Sequence, residues 1–148
     1  MADPARPIRV LLVEDSPSDV ALTEVVFGQA KTDIQLDVAN DGIEALEYLE
    51  ARDCDMAAMP DLILLDLNMP RMGGHEVLER LKAHEHWRRI PVIVLTTSKA
   101  EADILGVYDR HANSYIAKPV DLPEFIDVVS RIEDYWLSVV QLPTRTGS

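Results

Sequence analysis

Five side chains able to hold a cation or handle a phosphoryl group stand at comparable places along this 148-residue chain: Glu14, Asp15, Asp66, Thr96 and Lys118, the last followed by Pro119. Each closes a short apolar run or follows it directly. Three carboxylates gathered on one rim repel one another unless a hard cation or an ammonium group sits among them. Mg²⁺ or Mn²⁺, with Lys118, supplies that charge. Such a cation takes oxygen ligands and keeps several waters, so a few carboxylates, one backbone carbonyl and a phosphoryl oxygen suffice. On this reading Asp15 and Asp66 bind the metal directly with the Asn68 carbonyl, and Glu14 holds a metal-bound water. Lys118 pairs with one phosphoryl oxygen, and Thr96 donates its hydroxyl to another. Asp66 is the candidate nucleophile: a carboxylate can accept a phosphoryl group as a reactive acyl phosphate, helped mainly by positioning and charge neutralisation.

The elements that must carry these residues are legible in the spacing. Apolar runs at Val10 to Val13, Gln35 to Val38, Leu62 to Leu65, Val92 to Leu95 and Tyr115 to Ala117 alternate with longer segments of helical period. Three of them (Val10-Leu11-Leu12-Val13, Leu62-Ile63-Leu64-Leu65 and Val92-Ile93-Val94-Leu95) are uniformly apolar, as central parallel strands covered on both faces must be. Ile34, Leu36 and Val38 alternate with polar residues, which predicts an edge strand. Ser16 with Pro17 and Asp19 opens a first helix whose buried face is read as Leu22, Val25 and Val26. Asn40 or Asp41 caps a second helix with Ile43, Leu46 and Leu49, and Val77, Leu78 and Leu81 define a third. Capping boxes at Ser98/Glu101 and Asp121/Glu124 open two more, the last with a stripe of Phe125, Val129, Ile132 and Trp136. The expected architecture is therefore α/β: a flavodoxin-like, doubly wound, five-stranded parallel sheet of order 2-1-3-4-5, with five helices in an α/β/α sandwich. In such sheets ligands bind at the carboxyl ends of the strands, where the strand order reverses.

Bulk properties narrow the function classes. The length suits one domain, residues 1–148, with a core over about 8–137 and a tail at 138–148. A formal charge of −12 opposes phosphate backbones and anionic lipid heads, so neither nucleic acid nor membrane is expected as a partner. No run approaches the length of a membrane span and the first nine residues lack a signal-peptide core, which points to the cytoplasm. The one cysteine, Cys54, can form no internal disulfide and has no base signal nearby.

Glu14-Asp15, Asp66, Thr96 and Lys118-Pro119, in this order at strand ends, resemble the CheY-like receiver domain of bacterial response regulators, over roughly residues 8–135. The resemblance implies that Asp66 takes a phosphoryl group from a histidine kinase, that Glu14, Asp15 and Asp66 bind Mg²⁺, and that Pro119 follows a cis peptide bond. It further implies a switch pairing Thr96 with Tyr115, in which Thr96 moves to the phosphoryl group and Tyr115 turns inward. The stretch Glu50 to Pro60, the ending Ile132 to Leu137, Leu95-Thr96-Thr97-Ser98 and Tyr115 to Leu122 are similar to the small response regulators paired with phytochrome histidine kinases. The protein so implied is a signalling protein that catalyses its own phosphorylation and dephosphorylation and signals to a downstream protein of unknown identity.

Other readings compete. An aspartyl phosphohydrolase acting on small molecules resembles the pattern in part, but such enzymes carry an acid and a Thr where this chain has Asn68 and Pro70. A receiver fold used as a binding module without phosphorylation predicts the loss of an acidic or Lys position, and none is lost. His84 and His86 flank Glu85 off one helix face, a poor zinc arrangement. Tyr135 and Trp136, at the end of a helix longer than the sheet needs, serve either as extra core cover or as a homodimer or partner surface.

Overall fold

The computed structural model describes residues 8–29, 34–52, 55, 58–66, 74–96, 114–117 and 122–132. Within these, the side chains of residues 96, 114–117, 122, 125, 129 and 132 are outside the description. The strands are β1 (Ile8–Val13), β2 (Ile34–Ala39), β3 (Leu62–Asp66), β4 (Val92–Thr96) and β5 (Ser114–Ala117), forming one sheet of order β2-β1-β3-β4-β5. All four pairings are parallel. The helices are α1 (Pro17–Gly28), α2 (Gly42–Ala51), α3 (Gly74–Ala83) and α4 (Leu122–Ile132), with a 3₁₀ turn at Trp87–Arg89. The helix expected after Ser98, and the Asp121 cap, lie outside the described residues.

Alternation along each strand explains why the central three are apolar throughout. Leu11, Val13, Ile63, Leu65, Val92 and Val94 form a core with Ala45, Leu46 and Leu49 of α2 and Val77, Leu78 and Leu81 of α3. Their neighbours Val10, Leu12, Leu62, Leu64, Ile93 and Leu95 point the other way, to Phe27 of α1, with Val20, Leu22 and Val26 and with Val128 of α4. Two helical layers thus sandwich the sheet, and a polar residue anywhere in these strands would face one of them. β2 lies at an edge and is only half-buried along most of its length, as its alternation predicts.

The helix starts follow local chemistry. The Ser16 hydroxyl accepts the Asp19 N–H at 3.4 Å, with Pro17 at the first helical position. Asp41 rather than Asn40 caps α2, its carboxylate accepting the Glu44 N–H at 2.9 Å, while Glu44 reaches back to the Asn40 N–H at 3.0 Å. One expectation is corrected: Val25 is 57% exposed, and the fully buried residues of α1 are Thr23 and Phe27. Thr23 can occupy a core-facing position because its hydroxyl donates to the Asp19 carbonyl at 2.8 Å, so the helix satisfies it internally. Val25, two residues on, is turned by about 200° to the solvent side.

Candidate functional site

The β1–β3 pairing places Val13 opposite Leu65, so the next residue of each chain, Glu14 and Asp66, meets at the rim where the strand order reverses. The Glu14 N–H donates to the Ala39 carbonyl at 3.0 Å, which carries the β1–β2 ladder one residue further and fixes the backbone from which Glu14 and Asp15 project. Glu14 is 1% exposed and Asp66 3% exposed, while Asp15 is open to solvent. The Ser16 N–H at the entry to α1 donates to Glu14 Oε2 at 3.3 Å, so the buried carboxylate faces a helix N-terminus.

One carboxylate oxygen each from Glu14, Asp15 and Asp66 lies within 4.8 Å of the others. A hard divalent cation fits both the chemistry and the span of this set: all three donors are oxygens, two are buried, and the open third side leaves room for water and a substrate. Without a counter-charge, carboxylates this close repel one another through a poorly solvated rim. These three are the cluster of metal-ligating type found among the described residues.

The remaining sequence-derived positions divide in two. Asp66 faces Leu95 across the β3–β4 pairing, and Thr96 follows at the end of β4, opposite Ala117 of β5; Tyr115 stands in β5 opposite Val94. The backbone of Thr96 and Tyr115 is therefore at the expected strand positions. Asn68, Lys118, Pro119, Tyr135 and Trp136 lie outside the described residues, and the cis peptide expected at Pro119 lies there with them.

Among the described residues no histidine joins the carboxylate cluster. His84 Nδ1 accepts the N–H groups of His86 at 3.1 Å and Trp87 at 3.3 Å, and its ring stacks on Trp87 at 3.8 Å between centroids. That is an anchoring role for a buried tryptophan.

A polar network escaped the sequence reading. Arg9 Nη1 donates to Asp37 Oδ2 at 3.0 Å, the Tyr48 hydroxyl donates to the same oxygen, and the Arg52 guanidinium lies 3.7 Å over the Tyr48 ring. Burial opposes the charge on Asp37, but the hydrogen bonds from Tyr48 and Arg9 outweigh it and hold the carboxyl below its ordinary value. Tyr48 is pushed up to about 12, first by burial and then by its bond to that carboxylate. The two bonds to Asp37 span 11 and 28 residues of sequence, so no local motif announces them. Arg9 is five residues before Glu14, roughly 16 Å along the strand, so the network supports the sheet rather than the rim.

Comparison with known proteins agrees with this geometry. Residues 10–130 match the family model described as the response regulator receiver domain. The response regulator Rcp1 of Synechocystis sp. is 40% identical over 145 residues, which cover 97% of this chain and 99% of that protein. Among solved structures, the Mn²⁺-bound form of Rcp1 superposes with a TM-score of 0.83 at 40% identity, covering 93% of this chain and 99% of the other. The phosphorylated cyanobacterial phytochrome response regulator RcpA superposes with a TM-score of 0.84, with the same identity and coverage. Among the described residues no helix is long and apolar enough to cross a membrane.

Proposed function

Because the chain belongs to the response regulator receiver domain family, we propose that it acts in a phosphorelay by accepting a phosphoryl group on Asp66 from a sensor histidine kinase of phytochrome type. The observation that carries this reading is the convergence of Glu14, Asp15 and Asp66 at the strand-order reversal. It is supported by similarity to a Mn²⁺-bound relative and to a phosphorylated phytochrome response regulator.

The chemistry is an in-line transfer. A carboxylate oxygen of Asp66 forms the new O–P bond as the N–P bond of the phosphohistidine breaks, and the donor imidazole leaves with its electron pair. Asp15 and Asp66, with the Asn68 carbonyl, would hold Mg²⁺ or Mn²⁺ directly, and Glu14 would hold a metal-bound water. The bound cation would supply neutralisation of charge on the transferring group. Lys118 pairs with one phosphoryl oxygen and Thr96 donates its hydroxyl to another, each aiding transfer by binding charge in place. Hydrolysis of the acyl phosphate at the same rim resets the protein, so the chain acts as a signalling protein that catalyses its own modification.

The signal passes outward through the Thr96–Tyr115 pair to a downstream protein, and the segment bearing Tyr135 and Trp136 serves a homodimer or partner contact. The whole acts as one domain in the cytoplasm. The test is phosphotransfer from an autophosphorylated phytochrome-type kinase: label appears on the chain with Mg²⁺, disappears with chelator, and is absent from Asp66→Asn. Transfer to that variant at the wild-type rate would contradict the proposal.

A further inference from the structure

Cationic residues cluster in one stretch of the sequence, which leads into the start of β4, whereas the acidic rim lies at strand ends. Four of the chain's 14 Lys and Arg fall within residues 80–89 (Arg80, Lys82, Arg88 and Arg89) against the single carboxylate of Glu85, in a chain whose formal charge is −12. A charge run is most often a solvated face. Three observations set this one apart.

The first is pairing. Arg80 is engaged by Glu76 at 3.3 Å, but among the described residues neither the Arg88 nor the Arg89 guanidinium has a hydrogen-bond or ion-pair partner, although the chain has 26 carboxylates. Both arginines are exposed. The second is rigidity. The turn that carries them is anchored by Trp87, 5% exposed in the core, by His84 stacked on it and accepting two N–H groups, by the Arg88 N–H on the His84 carbonyl at 3.2 Å, and by Lys82 Nζ on the Arg88 carbonyl at 3.1 Å. A backbone fixed in this way presents arginines at two consecutive positions with little main-chain ordering left to do on binding. The third is placement. The turn ends three residues before Val92, the first residue of β4, whereas Asp66 and Thr96 end their strands. A partner seated there leaves the rim open.

We infer that Arg88 and Arg89, with Lys82 and His86 beside them, form a docking surface for an acidic segment of a partner protein, separate from the acidic rim. Each guanidinium suits a carboxylate because it offers planar, bidentate donors. A long polyanion such as nucleic acid meets the field of the whole acidic molecule, whereas a short acidic segment interacts within a Debye length of the patch.

The probe is an acetylated hexaglutamate peptide titrated into the full-length, ¹⁵N-labelled chain and followed by amide NMR shifts. The expected shifts group on residues 82–90, weaken by about tenfold between roughly 20 and 200 mM NaCl, and fall by at least about fivefold in Arg88→Gln/Arg89→Gln. The spectrum of that variant away from the turn matches the wild type, since both side chains are exposed. Shifts elsewhere, or none, overturn the proposal on the wild-type protein alone, and undiminished shifts in the variant do so as well. Equal or tighter binding of a hexathymidylate at the same amides replaces a protein partner with nucleic acid. Concentration-dependent shifts there without peptide replace it with a second copy.

Discussion

Arg9 and Asp61 hold each other through two hydrogen bonds of opposite sense: the Asp61 N–H donates to the Arg9 carbonyl at 2.7 Å, and the Arg9 N–H donates to Asp61 Oδ2 at 3.0 Å. Asp61, 2% exposed, thereby pins the entry of β3 to the start of β1. The register set there brings Val13 opposite Leu65 and, one residue on, Glu14 beside Asp66. A one-residue slip would turn every side chain of β3 to the other face.

Replacing Asp61 by Ala leaves a half-buried Arg9 N–H without its acceptor and is expected to cost about 1–3 kcal/mol. Urea denaturation checks this. Asp61→Asn, which keeps an acceptor oxygen, should cost less than half as much.

The core prediction concerns β3. Leu65 is fully buried between β1 and β4 and belongs to the core shared with α2 and α3. Leu65→Ala should destabilise by about 2–5 kcal/mol through lost burial and the cavity left behind. A change below about 1 kcal/mol in chemical denaturation would mean that the two helical layers do not close over the sheet as described.

The Arg9–Asp37–Tyr48 network gives stability a pH signature at both ends. Asp37 has a lowered pKa when folded, so its contribution is present above the ordinary carboxyl range, near 4, and is lost as pH falls below it. Tyr48 is raised to about 12, so its contribution is complete below the ordinary phenol value of about 10 and is lost as pH climbs from there through about 12. Tyr48→Phe should flatten the alkaline limb of a plot of stability against pH and cost about 1–2 kcal/mol at neutral pH. Asp37→Asn should flatten the acid limb.

The rim carboxylates predict an effect that changes sign with metal. In chelator, Asp15→Asn removes one of three mutually repelling charges and should raise the thermal midpoint. In excess Mg²⁺ the order should reverse, because the wild type gains binding free energy that the variant has largely lost. Calorimetry should show Mg²⁺ affinity falling by about tenfold or more.

Much of this molecule is written in short-range pattern. The three apolar runs have no polar positions because two helical layers cover them, and the alternation of β2 marks the edge for the same reason. Ser16-Pro17 and Asp41/Glu44 are caps whose donors lie three or four residues away, within reach of a local reading. Glu14, Asp15 and Asp66 were legible because parallel topology sends every strand end to one rim. What stayed hidden depends on distant partners. The Arg9–Asp61 pair spans 52 residues and the Arg9–Asp37 pair 28, and each of these side chains alone looks like an ordinary surface charge. Thr23 falls outside the apolar stripe for the reverse reason: it is polar, yet its hydroxyl is satisfied within α1 and the position faces the core.

The most direct measurement is intact-mass analysis of the chain incubated with acetyl phosphate and Mg²⁺, followed by peptide mapping of the labelled residue. The account predicts a mass gain of one phosphoryl group, dependent on Mg²⁺, mapped to Asp66 and absent from Asp66→Asn. A gain that persists in that variant, or that maps to another residue, would contradict it.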